Sequence, residues 1–281
     1  MHCLPGKVGD FHATILGIFV PHELRIEGLT KSFEGTAALR GVGLAVAPGD
    51  IVGVLGPSGA GKSTLLRIMN RLIEPDAGSI RYGDTDVRAL RGRALRLWRA
   101  RTAMIFQRFN LVDRLDVLTN VLIGRLASRS FAASMIGHFS DVERATAIRI
   151  LDRLGLAPQA LQRAGTLSGG QQQRVAIARA LMQAPEVMLA DEPVASLDPA
   201  NARRVMDDLS AINREEGISM IITLHNVETA RAYCRRVIGM RDGRVVFDDT
   251  PAALTDARLR EIYDSDGLLT LEGHSMLAVA A

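Results

Sequence analysis

The chain has 281 residues, 47% of them apolar, which is enough for a sizeable core in one large or two modest domains and excludes a disordered polymer. Lys and Arg number 34 against 31 Asp and Glu, a formal net charge of +3, and Trp98 is the only tryptophan. The basic run Arg88, Arg91, Arg93, Arg96, Arg99 and Arg101 therefore lacks the aromatic interleaving of a nucleic-acid groove, and reads as a solvated basic helix or a patch facing an anionic membrane.

Two cysteines, Cys3 and Cys234, cannot build a disulfide framework and fit a reducing compartment. Residues 13–20 are apolar but too short to span a bilayer, and their flanks (Lys7, Asp10, no small-residue cleavage site) do not make a signal peptide. Residues 1–22 read as an N-terminal extension to a soluble chain, so any membrane role must come through a partner.

In chain order, partial apolar alternation predicts antiparallel strands over 24–28 and 42–47, and Pro48-Gly49 turns into the next element. Ile51, Val52, Val54 and Leu55 form a short β-branched run, read as one buried strand. The loop Gly56-Pro57-Ser58-Gly59-Ala60-Gly61 follows, then Lys62-Ser63-Thr64 and a helical stripe of Leu65, Leu66, Ile68, Met69, Leu72 and Ile73. Strand, Gly-rich loop, Lys-Ser and helix form a phosphate-binding P-loop. Glycine lets the backbone approach an anion, the converging N–H groups sit at a helix N-terminus, Lys62 brings a point charge, and Ser63 offers a hydroxyl to Mg²⁺.

A strand and turn are expected over 80–90, and Thr102–Phe106 is a short apolar run ending at Gln107. Strand signals vanish over 110–165, where helical stripes take over, for example Ile148, Ile150, Leu151 and Leu154 with Gly155 as the stop. Residues 171–183 read as a helix, and 187–190 as a strand. Asp198-Pro199 opens another helix as N-cap and N1, ending near Gly217. A buried strand is expected over 218–224, a hairpin around Asp242-Gly243, and a helix over 250–263.

Two further elements carry chemistry. Leu167-Ser-Gly-Gly-Gln-Gln-Gln-Arg174 is a Gly-rich turn at a helix start, which suits either a cap or an anion site. Val187-Met-Leu-Ala-Asp-Glu192 is an apolar strand ending in two carboxylates, at the strand edge where ligands of open α/β sheets bind. Beside a P-loop, Asp191 reaches toward Mg²⁺ and Glu192 orients or deprotonates an attacking water. Gln107 and His225 stand alone at strand ends. Either is open to a structural reading, to a metal or water contact for the glutamine, or to a γ-phosphate contact for the histidine. The remaining histidines (His2, His12, His22, His138, His274) show no metal-ligand spacing.

Taken in order, Phe33, the loop 56–64, Gln107, Leu167–Gln171, Asp191-Glu192, Ser196-Leu197-Asp198 and His225 resemble the nucleotide-binding subunit of ATP-binding cassette transporters, over residues 23–250. The resemblance implies an α/β P-loop NTPase fold: a RecA-like core, an antiparallel β-subdomain, a helical subdomain over about 108–166, and a C-terminal helix and tail over 251–281. It implies that Phe33 stacks on adenine, where many members have Tyr, and that Gln107 senses Mg²⁺ and water. Ser168, Gly169, Gly170 and Gln171 would contact ATP held by the other protomer, so two copies pair head to tail around two ATP molecules. Asp198 would link the two sites, and His225 would hold the γ-phosphate.

Within that family the look-alike is the ATPase of phosphonate importers, carried by Phe109–Arg125, Thr223–Ala230 and Ala232–Val237. Importers of methionine, polar amino acids and phosphate share parts of these stretches and remain alternatives. The implied partners are integral membrane permease subunits and, indirectly, a periplasmic or extracytoplasmic solute-binding protein. The implied place is the cytoplasmic face of the inner membrane, as a peripheral subunit. A soluble cassette ATPase acting on DNA or ribosomes fits less well, with no second cassette and no long heptad insertion, and a small-molecule kinase leaves the 167–171 turn unexplained.

Overall fold

The computed structural model describes residues 21–128 and 139–263. Cys3, His2, His12, His138, His274, the apolar run 13–20 and the tail after Tyr263 lie outside the described residues. Two sheets organise the chain. The first is antiparallel, in the order β2-β1-β4-β5, with β1 at Leu24–Phe33, β2 at Thr36–Val46, β4 at Ala77–Tyr82 and β5 at Thr85–Asp86. The second has the order β10-β9-β3-β8-β7-β6, with β3 at Ile51–Leu55, β6 at Thr102–Ile105, β7 at Val187–Ala190, β8 at Ser219–Thr223, β9 at Arg236–Arg241 and β10 at Arg244–Asp249. Its strands run parallel except β10, which closes the edge through the antiparallel hairpin at Asp242-Gly243. Both hairpin residues have positive φ, 49° and 75°, as a tight two-residue turn requires.

The second sheet separates two cores. Every residue of β3, β7 and β8 is buried, as expected of strands covered on both faces. Successive side chains point opposite ways. Ile51 and Leu55, Met188 and Ala190, Met220 and Ile222 join one core with the helices; Val52 and Val54, Val187 and Leu189, and Ile221 join the other with β1, β2 and β4. On the first side lie α3 (Val117–Leu122), α4 (Asp141–Arg153), α5 (Gly169–Leu181) and α6 (Pro199–Glu216). On the second lie α1 (Lys62–Met69) and α2 (Gly92–Arg101).

The helical stripe expected to run through Leu72 and Ile73 stops early. Asn70 caps α1 and its buried amide donates to the Thr102 carbonyl, while Arg71 takes φ +59°, so Leu72 is left 45% exposed. Ile148 is likewise off the buried stripe of α4, which consists of Ala147, Ile150 and Leu151. The helix expected from residue 171 starts at Gly169, because Ser168 is its N-cap. The arginine-rich segment is α2. Arg91, Arg93, Arg96 and Arg101 are exposed, while Trp98 is buried against the Tyr82 ring and its indole N–H donates to the Met69 carbonyl at 3.0 Å. Cys234 is buried, and burial pushes its thiol up to about 12, which fits a small apolar filler.

The remaining helices among the described residues are α7 (Val227–Tyr233), between β8 and β9, and α8 (Asp256–Ile262), after β10. Helix α8 seats on β9 because Gly239 has no side chain: a Cβ there would lie 2.6 Å from the Ile262 side chain and 2.9 Å from Phe247. Gly239→Ala should therefore overpack this joint and destabilise the fold by about 1–3 kcal/mol, read as a lower urea midpoint at unchanged slope. An unchanged midpoint would mean that α8 is not held there.

Candidate active site

The P-loop joins β3 to α1 through backbone positions that only glycine satisfies. A Cβ on Gly56 (φ +150°) would come within 2.2 Å of the Met240 carbonyl oxygen, and one on Gly61 (φ +97°) within 2.4 Å of the Ala38 carbonyl oxygen. Strands β9 and β2 thus wall the loop from both sides. The Lys62 ammonium is buried and donates to the carbonyls of Gly56 at 2.7 Å and Pro57 at 3.0 Å. Burial lowers its pKa, and the nearby Glu192 and Asp191 oppose that shift. Ser58 and Gly59 are exposed at the tip, Ala60 is buried, and Thr64 is half-buried.

At the neighbouring strand end the Ser63 hydroxyl donates to Asp191 Oδ1 at 2.7 Å. Asp191 is itself 3% exposed, and its other oxygen lies 3.9 Å from the Arg67 guanidinium. Ser63 and Asp191 so present two hard oxygens beside the loop's converging amides. That donor set suits Mg²⁺, which takes one or two protein oxygens plus phosphates. Among the described residues no cluster of three or more His, Cys, Asp or Glu could hold a metal ion.

Glu192 takes φ +51°, a strained conformation for a residue with a side chain. Its backbone N–H donates to the Thr223 hydroxyl at 2.7 Å, and that hydroxyl in turn lies 3.2 Å from Asp191 Oδ1. The turn aims the carboxylate between two strand ends: Gln107 Nε2 donates to Oε2 at 2.9 Å, and His225 Nε2 lies 2.5 Å from Oε1. Gln107, Glu192 and His225, scattered over 118 residues, are thus one cluster at the carboxyl edge of β6, β7 and β8.

The other predicted residues are not in this cluster. Ser168 and Gln171 form a capping box at the start of α5: the Ser168 hydroxyl accepts from the Gln171 N–H at 3.4 Å, and the Gln171 side-chain Oε1 accepts from the Ser168 N–H at 3.0 Å. Ser168 and Gly169 are exposed, while Gly170 packs against Asn201 of α6, where a Cβ would sit 2.8 Å from the asparagine side chain. Asp198 caps α6, accepting from the N–H groups of Ala200 and Asn201 at 3.1 Å each and from the Asn201 side chain at 2.6 Å. These bonds, the Asn201 side chain foremost, hold its carboxyl below the usual range. Phe33 ends β1 with its ring 44% exposed and the Lys31 ammonium 5.4 Å from the centroid.

Three contacts went unread in the sequence. Thr223 ties the Asp191 carboxylate and the Glu192 backbone N–H to β8. Arg179 of α5 donates to the carbonyls of Phe109 at 2.7 Å and Asn110 at 2.5 Å, two residues with φ +49° and +51° just after Gln107. The Tyr263 hydroxyl accepts from the Gly56 N–H at 3.1 Å. Thr223 as the last residue of a buried strand was a visible signal; the other two carried none.

A Gly-lined loop with a buried lysine, beside a buried aspartate and a clamped glutamate, defines a P-loop nucleotide hydrolase. The model of the ABC transporter family matches residues 39–195, more than half of the chain. The chain is 58% identical over 241 residues, 86% of its length and 84% of the relative's, to the phosphonates import ATP-binding protein PhnC of Agrobacterium fabrum. It is 55% identical over 258 residues, 92% and 93% of the two lengths, to a phosphonates import ATP-binding protein of Rhodopseudomonas palustris. Among solved structures it resembles an ATP-binding cassette of an ABC transporter in its ADP conformation (TM-score 0.77, 28% identity, 88% of this chain and 100% of the other). It also resembles a dimeric cassette in a post-hydrolysis state bound to ADP and phosphate (TM-score 0.71, 33% identity, 81% and 98%). The chain belongs to the ABC transporter family and is one of its ATPases. Among the described residues no helix is long and apolar enough to cross a membrane.

Proposed function

We propose that this chain is the energy-coupling ATPase of an importer of phosphonates, peripheral to the cytoplasmic face of the inner membrane and bound to permease subunits that an extracytoplasmic solute-binding protein supplies. The observation that carries the catalytic part is Glu192, held by both carboxylate oxygens at the mouth of the P-loop. The solute class is supported by the relatives' names.

In this reading the P-loop amides and Lys62 hold the phosphates of ATP, and Phe33 stacks on the adenine. Ser63, Gln107 and Asp191 hold Mg²⁺, which when bound neutralises charge on the phosphate oxygens. Glu192 takes the proton from a water as its oxygen bonds to the γ-phosphorus and the bond to ADP breaks. His225 keeps the γ-phosphate and the water in place. Ser168, Gly169, Gly170 and Gln171 serve the P-loop of a second copy. The exposure of Ser168 and Gly169, the hydrogen bonds of Ser168 and Gln171 closing within their own helix cap, and the dimeric relatives support a head-to-tail pair with Asp198 at the joint.

The test is growth of the source organism carrying only the Glu192→Gln form, expressed at the normal level. The expected result is no growth on a phosphonate as sole phosphorus source and normal growth on inorganic phosphate. Normal growth on both would move the solute to another class.

A further inference from the structure

The first P-loop glycine is fixed at both of its backbone groups. Its carbonyl accepts from Lys62 at 2.7 Å, and its N–H donates to the hydroxyl of Tyr263, 207 residues later in the chain. Tyr263 directly follows α8 and is 4% exposed. Its position is set by Ile262, which fills the space left by Gly239, and by the main chain of Glu261, whose carbonyl accepts from Arg241 at 3.3 Å. One turn further along the loop, the Gly243 N–H donates to the Ala60 carbonyl at 3.2 Å. Tyr263 and the β9–β10 hairpin therefore hold the loop at two points, through Gly56 N–H and the Ala60 carbonyl.

We propose that Tyr263 is a positioning residue for nucleotide binding: it anchors the strand-to-loop joint at Gly56 while Lys62 exchanges the Gly56 carbonyl for a phosphate. The inference rests on the P-loop being the ATP site. When Lys62 turns to its ligand, the Gly56 carbonyl gives up that partner. The Tyr263 bond, which no nucleotide displaces, is then what keeps the joint in place. Burial pushes the phenol up to about 12, so the neutral hydroxyl serves as acceptor throughout the physiological range. Tyr263→Phe keeps the ring and removes only the acceptor. The nucleotide must then order the loop itself, which weakens binding without touching the reacting groups.

The experiment uses the full chain, with ADP binding by calorimetry and ATP kinetics by phosphate release. Tyr263→Phe should raise the ADP Kd and the ATP KM about fivefold, the factor of one ordinary buried hydrogen bond, with kcat within twofold of wild type. Tyr233→Phe, which removes a hydroxyl bonded to Asp207 at 2.8 Å away from the P-loop, should change neither. A folded Tyr263→Phe protein with wild-type Kd and KM, or with reduced kcat at unchanged KM, overturns the proposal. If Tyr263→Phe does not fold, amide exchange in the wild-type protein decides. A Gly56 amide protected with and without ADP supports the anchor; one exchanging as fast as the exposed Ser58 amide overturns it. Wild-type protein that binds no nucleotide would overturn the nucleotide site as well, whereas normal wild-type binding with an indifferent Tyr263→Phe overturns this proposal alone.

Discussion

Glu192→Gln should slow ATP turnover by about 10²–10⁴-fold, the range that a positioned general base contributes, while ATP still binds. The amide matches the carboxylate in shape and can keep one acceptor for Gln107, so the strained turn at residue 192, held by the Thr223 hydroxyl through the backbone, need not move. What is lost is the acceptor for a water proton. Single-turnover phosphate release on pre-bound ATP separates this from a binding defect. A fall of less than tenfold would mean that another group takes the proton, and His225, which lies 2.5 Å from the same carboxylate, would be the next to replace.

Lys62→Met should weaken ATP binding by about a hundredfold, as the loss of charge-assisted hydrogen bonds to phosphate implies. The fold should respond differently. Burial depresses the Lys62 pKa, so the folded chain holds this proton less firmly than the unfolded chain does. Well below the folded pKa the ammonium is charged in both states and its burial works against folding; that cost is relieved only as pH rises through the folded pKa. Methionine removes it at neutral pH. The nucleotide-free Tm of Lys62→Met should therefore fall by no more than about 3 °C, a shift of roughly 1–2 kcal/mol for a chain of this size. Calorimetry and thermal melts on one preparation check both halves. A large loss of Tm would show that the two carbonyl contacts matter to the fold more than the buried charge costs it.

The parts of this site that were legible in the sequence are those whose chemistry is local. A β-branched run, glycines at fixed offsets and a Lys-Ser pair describe a strand, a loop and a helix N-terminus within 14 residues. Asp191-Glu192 at the end of an apolar strand carries its own orientation. Strands β7 and β8 and both ends of α6 were similarly plain, because continuous apolar runs, Asp-Pro and a terminal Gly217 at φ +68° are short-range signals. The end of α1 was not. Asn70 stops it by a bond to Thr102, 32 residues away, against the local apolar pattern. Arg179 on Phe109 and Asn110, and Tyr263 on Gly56, are invisible for the same reason: side chain meets backbone across 70 and 207 residues. The pairing of Gln107 and His225 with one carboxylate became a cluster only once β6, β7 and β8 lay side by side.

The six-stranded sheet has a consequence of a different kind. Ile221 and Ile222 are joined by one peptide bond, yet they belong to separate cores. The sheet is a party wall between two rooms, each with its own furniture. A change of side-chain volume on one side meets Leu151, Val175 and Val205 and their companions before it meets anything behind α1. Substitutions in either room thus find their first neighbours on their own side of the wall.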